Sequence, residues 1–172
     1  LTYDVAWEYY SQMHINSKIN WEEILLCSPD HIVLSDMSDD KAKKRLQYTR
    51  INAGPFLDLS KSNNRVTAVG VIHGRTNQER IEQYEMLKEL GYQYVALGGM
   101  VPYSNNQGKA LNIVAGIQDT SDPLISPDSI LGRSRKDGIK LHIFGLNSPE
   151  WCGWWHRLKI DSFDGSKLST EG

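Results

Sequence analysis

Residues 65–97 contain the segment that decides the fold: R-V-T-A-V-G-V-I at 65–72, a polar exit H-G-R-T, a helical pattern, and Y-Q-Y-V-A-L at 92–97. The first run is rich in β-branched residues, which favour strands. Thr76 can cap the helix that follows, apolar residues recur at helical spacing as far as Leu90, and Gly91 is a natural stop. Strand, helix and strand with short links form a βαβ unit, so the two strands are predicted to be parallel.

The same alternation continues outward from this unit in both directions. Towards the amino terminus the sequence predicts helices at 4–14 and 20–26, a strand at 31–35 and a charged helix at 39–50. Towards the carboxyl terminus it predicts helices at 109–117 and 126–137, a strand at 140–144, a tryptophan-rich helix at 149–158 and a last strand at 159–163. Asn20, as N-cap before two acidic residues, is the signal for the helix at 20–26.

Every predicted strand is followed by a polar or glycine-containing turn. These turns are Ser35-Asp36, His73-Gly74, Gly98-Gly99, Phe144-Gly145 and residues 161–165. Polar residues at the carboxyl ends of strands that alternate with helices are typical of a (β/α) barrel, and no G-x-G-x-x-G follows a strand. We therefore predict an α/β fold, a TIM-type barrel that is partial, because about five parallel strands are present where a closed barrel has eight.

Composition sets the limits of this interpretation. With 172 residues, 40% apolar and 23% charged, the chain is expected to form a single α/β domain over residues 1–172. A formal charge of -2 argues against a uniformly basic nucleic-acid binder, although a local basic patch can coexist with it. There is no apolar run of membrane-spanning length, so we expect a soluble, cytoplasmic protein. The ends of the chain, Leu1 and Gly172, suggest a fragment or one part of a larger protein.

Cysteine usage excludes two kinds of stabilised site. Cys27 and Cys152 are far apart and form no C-x-x-C, so neither a disulfide framework nor a four-cysteine zinc site can be built.

Two carboxylates at predicted strand ends, Asp36 and Asp164, suit glycosidic chemistry. One can orient a substrate by accepting hydrogen bonds, while the other attacks an electrophilic carbon through an oxocarbenium-like transition state. The pair Gly98-Gly99 lets a flat ligand approach the backbone, and Phe144 can cover the face of an aromatic ring. Aspartate and glycine are also ordinary turn residues, so a purely structural interpretation stays open beside the catalytic one.

Two clusters of basic residues allow two interpretations. Each is either a solvated helix face or a set of contacts to nucleic-acid phosphates. The candidate phosphate contacts are Lys41, Lys44, Arg45, Arg133 and Arg135.

Four segments carry a family resemblance: V-G-V-I-H-G at 69–74, Y-V-A-L-G-G-M at 94–100, H-I-F-G-L-N-S-P-E at 142–150 and I-D-S-F-D at 160–164. In the same order and at similar spacing they resemble the tRNA-guanine transglycosylase superfamily, and are most similar to its DNA-modifying branch, the DpdA-like 7-deazaguanine transglycosylases. The resemblance covers roughly residues 28–170. It implies a TIM barrel that exchanges guanine for a 7-deazaguanine base of the preQ0 type through a covalent enzyme–nucleotide intermediate.

The resemblance also implies roles for single residues. The second aspartate of the family's D-x-F-D falls on Asp164, which would attack the sugar C1′. Asp161, the first acid of that motif, would support the loop. Asp36 would hold the polar edge of the purine, and His73, where the transfer RNA enzymes have glutamine in V-Q-G, would contact the base.

Further positions would form the base pocket. Gly98, Gly99 and Met100 would line it through backbone groups. Phe144, followed by Gly145, stands where the family has methionine in M-G-V-G, and would keep a flat apolar cover on the base.

Two departures from the family keep alternatives open. The D-S-G-G-F-Q loop that carries its acid/base aspartate does not occur in the 172 residues, as expected if another segment or another chain completes the barrel. The zinc ligands beyond the nucleophile are not present either, because Gly165-Ser166-Lys167 replaces C-V-x-P-T-R. The expectation of no metal and no cofactor in this chain rests on these missing zinc ligands. Besides base exchange in DNA, the hypotheses are exchange in transfer RNA, a catalytically silent nucleic-acid-binding subunit, and a barrel enzyme that acts on a phosphorylated small molecule.

Overall fold

The computed structural model describes residues 2–16 and 23–165, and within them five parallel strands form one sheet. The strands are β1 Ile24–Cys27, β2 Val66–Ile72, β3 Tyr94–Leu97, β4 Lys140–Ile143 and β5 Ser162–Phe163. Each strand pairs in parallel with the next one in the sequence. The sheet curls into half of a (β/α) barrel, which confirms the predicted α/β partial barrel.

Helices follow and precede these strands as the alternation predicts. They are α1 Tyr3–Asn16, α2 Asp39–Ser60, α3 Asn77–Leu90, α4 Gln107–Ala115, α5 Ile130–Asp137 and α6 Pro149–Arg157, with a short 3-10 helix at Val101–Tyr103. The limits of α3 confirm the capping argument: the Thr76 side chain accepts a hydrogen bond from the Glu79 N–H, and Gly91 ends the helix at φ 99°.

Two predictions near the amino terminus are wrong. The helix predicted at 20–26 is replaced by β1, whose Ile24 pairs with Val66 of β2, while Asn20 lies outside the described residues. Local propensity loses here to pairing along the edge of the sheet. The strand predicted at 31–35 is an extended segment without a ladder partner among the described residues. It packs on α2 instead: the Arg45 Nη1 donates to the Ile32 carbonyl at 2.5 Å.

Helix ends differ more modestly from the prediction. α2 continues ten residues past the predicted end at 50 and includes Pro55. α5 begins at 130 rather than at the predicted 126, because the Ser129 side chain caps it by accepting from the Gly132 N–H at 3.0 Å. The helix ends at 137 as predicted, with Gly138 as its C-cap.

The alternation of side chains along each strand divides the core in two. On the convex face, residues such as Val95, Leu97, Leu141 and Ile143 pack against the helices in the larger cluster. The concave face carries a small cluster of Val69, Tyr94 and Ala96, with Cys27 and Phe144 packed against it. Residues two apart on a strand share a face, so polar side chains at the same spacing as these concave residues also point into the barrel interior.

Within the described ranges, no helix combines the length and the apolar character that a membrane crossing requires.

Candidate active site

Four of the sequence-predicted residues meet at the carboxyl rim of the sheet. His73, Gly98, Phe144 and Asp164 directly follow β2, β3, β4 and β5. The backbone extends the parallel pairing one residue past the strands, with N–H groups of Gly98, Phe144 and Asp164 donating to the preceding strands at 3.0–3.2 Å. The register therefore places these four positions in one layer at the end of the barrel where (β/α) enzymes carry their chemistry.

Asp164 presents an oriented and accessible carboxylate. Its Oδ1 accepts the Gly145 N–H at 3.0 Å, and its side chain is 57% exposed. Gly145 has φ 80°, and a Cβ there would lie 2.5 Å from Cγ2 of Val101, so only glycine fits this turn. The β4 turn thus holds one carboxylate oxygen in place and leaves the group open to a substrate.

His142 lies one layer below Asp164, and the sequence interpretation assigned it no role. Its Nε2 is 3.7 Å from Oδ2 of Asp164, and its Nδ1 is 2.6 Å from the Ser162 hydroxyl. Burial lowers the pKa of His142, and the Asp164 carboxylate acts in the opposite direction. The signal that finds it is the two-residue spacing from Phe144, which puts both side chains on the concave face.

Asp30 is a second residue that the sequence interpretation missed. It lies three residues after β1, and its Oδ2 directly contacts Nε2 of His73. Because β1 was predicted as a helix, the turn Ser28-Pro29-Asp30 was not identified as a strand exit.

His73 is placed differently from the expected base contact. Its ring is buried beneath Gly98, where an added Cβ would overlap it, and its Nδ1 has no hydrogen-bond partner among the described residues. Asp30 retains 33% side-chain exposure, so the acid of this pair reaches the surface and the histidine does not.

Asp36 lies on an exposed turn rather than at a strand end. The Met37 N–H closes the turn on the Leu34 carbonyl, and Asp36 has no hydrogen bond or ion pair with any other described residue. Its role as the acid at the polar edge of the base remains a prediction. No hydrogen bond or ion pair joins it to Asp164.

Three further predicted residues have clear structural surroundings. The Met100 side chain is buried in the convex-side core, so only its backbone is available to a pocket. Phe144 packs on the concave cluster, with its ring centroid 4.6 Å from that of His142. Asp161 Oδ2 accepts the Leu141 N–H at 2.8 Å, a contact that ties the start of β5 to β4.

A cavity of about 210 Å³ borders this rim. It is lined by Val101, Ser104, Gly145, Leu146, Asn147, Ser148 and Trp151. Two indoles of α6 bind carbonyl groups of the residues that line it. Trp151 Nε1 donates to the Ser104 carbonyl at 3.0 Å, and Trp155 Nε1 donates to the Leu146 carbonyl at 2.8 Å. The turns after β3 and β4 are thereby fixed to one helix.

The candidate phosphate contacts fall into two groups. Lys41 and Lys44 are exposed at the start of α2, and the Lys44 ammonium lies 5.9 Å from the Tyr48 ring centroid. The arginines make internal contacts instead. Arg133 pairs with Glu85 at 2.7 Å, Arg135 donates to the Leu158 carbonyl at 2.6 Å, and Arg45 is held by Ile32.

The ranges 2–16 and 23–165 contain no group of three or more histidine, cysteine or acidic side chains arranged to hold a metal ion.

Comparison with known proteins gives one informative similarity. No family model matches the chain. Over 126 residues, 73% of its length, the chain is 26% identical to a protein of Salmonella montevideo named DNA-guanine transglycosylase. The chain spans only 26% of the length of that relative. This similarity supports a relation to the transglycosylases, in line with the four sequence segments.

Proposed function

We propose that this chain forms the nucleophile-bearing part of a base-exchange transglycosylase, which replaces guanine in DNA by a 7-deazaguanine base of the preQ0 type. The observation that carries the proposal is the Asp164 carboxylate, which is oriented by the Gly145 N–H, lies at the barrel rim and is 57% exposed. An accessible, fixed carboxylate is the group that covalent glycosyl transfer requires.

The reaction proceeds in two displacements at one carbon. An Asp164 oxygen attacks C1′ of the nucleotide, the C1′–N9 bond breaks, and guanine leaves with the electron pair and takes up a proton. The incoming 7-deazaguanine loses its N9 proton and attacks C1′, and the C1′–O bond breaks to restore the carboxylate. The target nucleotide must leave the helical stack to reach the rim.

Two carboxylates are candidates for the polar edge of the base. The resemblance assigns this role to Asp36, which lies on an exposed turn. Asp30 is the second candidate, because it follows β1 at the rim and His73 holds it from below. In this arrangement His73 acts through Asp30, and its ring occupies the space over Gly98, so Gly98 and Gly99 contribute their backbone groups to the pocket.

The substrate is proposed to be DNA because the similar Salmonella montevideo protein is named a DNA-guanine transglycosylase. Lys41 and Lys44, exposed on the first turns of α2, are the proposed phosphate contacts. Transfer RNA as substrate and a catalytically silent binding subunit are the two alternatives that the experiment must separate.

The test is a search for a covalent adduct with the full-length gene product. The protein is incubated with guanine-containing DNA or with transfer RNA, with and without 7-deazaguanine, and adducts are detected on denaturing gels and by intact mass. We expect wild type to form an adduct with DNA and Asp164→Asn to form none. The control is Asp161→Asn, which replaces another acid on the same segment and should still form the adduct. An adduct with transfer RNA alone would change the substrate, and equal adducts in wild type and Asp164→Asn would refute the mechanism.

A second comparison separates the two base-edge acids. Asp30→Asn and Asp36→Asn are tested for displacement of the adduct by 7-deazaguanine. The acid that binds the base is the one whose replacement raises the 7-deazaguanine concentration needed, by about 10-fold or more for loss of one charged hydrogen bond.

A further inference from the structure

Three polar side chains form a file beneath Asp164 on the concave face. The register pairs Ala96 with His142 and His142 with Ser162, so the last two side chains lie next to each other in one layer. The Ser162 hydroxyl oxygen is 2.6 Å from Nδ1 of His142 and 2.5 Å from the Tyr94 hydroxyl oxygen. The file Tyr94, Ser162, His142 ends at Asp164, where Nε2 of the histidine faces Oδ2 at 3.7 Å.

Counting protons along this file selects one tautomer of His142. Its Nε2 is buried and has no hydrogen-bond partner among the described residues, although the nearest polar group is a carboxylate oxygen. If Nδ1 carried the proton, a buried lone pair of Nε2 would face that oxygen, which repels it. If Tyr94 donates to Ser162 and Ser162 donates to Nδ1, the proton lies on Nε2 and points at Asp164.

We propose that His142 is a positioning residue for Asp164, held as its Nε2–H tautomer by the file of Tyr94 and Ser162. The inference rests on the proposed role of Asp164 as the attacking carboxylate. A short approach of the two side chains converts the 3.7 Å separation into a hydrogen bond when the nucleotide is bound. Oδ1 is then held by Gly145 and Oδ2 by His142, so the carboxylate plane is fixed relative to C1′.

The surroundings of His142 favour the neutral imidazole that this role needs. Burial lowers the pKa of the ring, and the Asp164 carboxylate is the opposing influence. Tyr94 and Cys27 face the same space from β3 and β1, and burial raises the pKa of both. At neutral pH these two groups therefore stay uncharged, and Asp164 is the one charged group near the ring among the described residues.

The kinetic test uses three replacements of His142 and a matched control. Gln places its amide N–H where Nε2 stands, Asn places it where Nδ1 stands, and Phe keeps only the ring shape. We expect adduct formation at saturating DNA to slow about 10- to 100-fold in His142→Phe and His142→Asn, a typical cost of a misplaced reacting group. His142→Gln should stay within about 5-fold of wild type, because it keeps the donor. His156→Gln, at an exposed histidine of α6, should have no effect.

A merely structural role gives a different pattern. If all three replacements slow the reaction in proportion to their loss of stability, or if His142→Phe reacts like wild type, the positioning role is overturned. Half-saturating DNA concentrations should be unchanged in all variants, since His142 lies below the rim and acts on the carboxylate rather than on binding.

A spectroscopic test is independent of the reaction. In protein labelled with ¹⁵N-histidine, long-range ¹H–¹⁵N correlations report the tautomer of each ring, and the signal missing in His142→Gln identifies His142. We expect the Nε2–H tautomer in wild type and a mixture in Ser162→Ala. An Nδ1–H tautomer refutes the inference even if Asp164 forms the adduct. If wild type and Asp164→Asn form equal amounts of the DNA adduct, the proposed function is refuted. The NMR result on the His142 tautomer is independent of that outcome.

Discussion

The rim of this half-barrel carries two acid–histidine pairs that are built in opposite ways. On the β1–β2 side, His73 is 2% exposed and its Nε2 directly contacts Asp30. On the β4–β5 side, His142 is 15% exposed and stands 3.7 Å from Asp164, whose side chain is 57% exposed. The first pair is closed and covered by a glycine, whereas the second is open towards solvent.

This difference indicates which pair stabilises the fold and which pair is accessible to a substrate. In the closed pair, Nε2 of His73 and Oδ2 of Asp30 are bound to each other, and only the acid is partly exposed. An open pair keeps an unused N–H and an accessible carboxylate, the condition for reaction with a substrate. Mutations should therefore affect stability on one side of the rim and reactivity on the other.

The largest effect on stability is expected from Gly98→Ala. The new Cβ would overlap the His73 ring, which is buried, and overpacking of this kind costs about 1–3 kcal/mol. The matched control is Gly108→Ala in α4, where nothing lies within 4 Å and alanine should add about 0.5–1 kcal/mol. Urea denaturation measures both free energies of unfolding. Wild-type stability in Gly98→Ala would show that the ring is not packed beneath this glycine.

The next effect separates the two acids directly. Asp30→Ala leaves the buried Nε2 of His73 without its partner, and an unpaired buried polar group costs about 1–3 kcal/mol. Asp164→Ala removes an exposed rim group, and its free energy of unfolding should stay within about 0.5 kcal/mol of wild type. Chemical denaturation of both variants at neutral pH tests this, and equal losses would end the distinction between a closed and an open pair.

A smaller effect is expected in the pH dependence of stability. Burial lowers the pKa of His142 below its ordinary value of 6.5, so the unfolded chain takes up a proton that the folded chain resists. Stability should therefore fall as the pH drops below about 6.5, and His142→Gln should show a smaller fall. Burial also lowers the pKa of His31, which contributes equally in both proteins.

Urea midpoints at pH 7.5 and pH 5.5, compared between wild type and His142→Gln, measure this difference. Identical changes in the two proteins would mean that His142 titrates alike in the folded and unfolded states.

The smallest effect is expected in the alkylation rate of the Cys27 thiol, whose pKa depends on both Asp30 and Asp164. Burial raises the pKa of Cys27 to about 12, and Asp30 and Asp164 contribute in that order. At pH 8 only about one thiol in ten thousand is then ionised, so iodoacetamide should modify Cys27 very slowly. Asp30→Asn should accelerate the modification more than Asp164→Asn. Peptide mass mapping over time gives both rates, and the reverse order would place Cys27 nearer the open pair.

The sequence predicts the fold well where local patterns and long-range pairing agree. Thr76, Gly91 and two β-rich runs define the central βαβ unit, and its neighbours follow the same alternation. The prediction fails at residues 20–35, where the N-cap pattern at Asn20 indicates a helix but pairing with β2 makes Ile24–Cys27 a strand. No local window contains that information.

The candidate site is predicted in part for the same reason. His73, Gly98, Phe144 and Asp164 each follow a strand, and the register brings them together. Asp30 is missed because its strand is missed. The two-residue spacing of His142 from Phe144 places its side chain on the concave face, but its partners Ser162 and Asp164 are revealed only by the pairing of β4 with β5.

The order of the strands has a consequence for how the chain is made. Each strand after the first pairs with the one that immediately precedes it in the sequence, so every pairing spans one crossover: a single α-helix for three of them, and α4 and α5 between β3 and β4. Pairing between consecutive strands keeps the contacts as local as a parallel sheet allows, which favours faster folding than pairing between distant strands. Asp164 follows the last of these five strands, so during synthesis the proposed nucleophile is made after His142, the Gly145 turn and the closed pair.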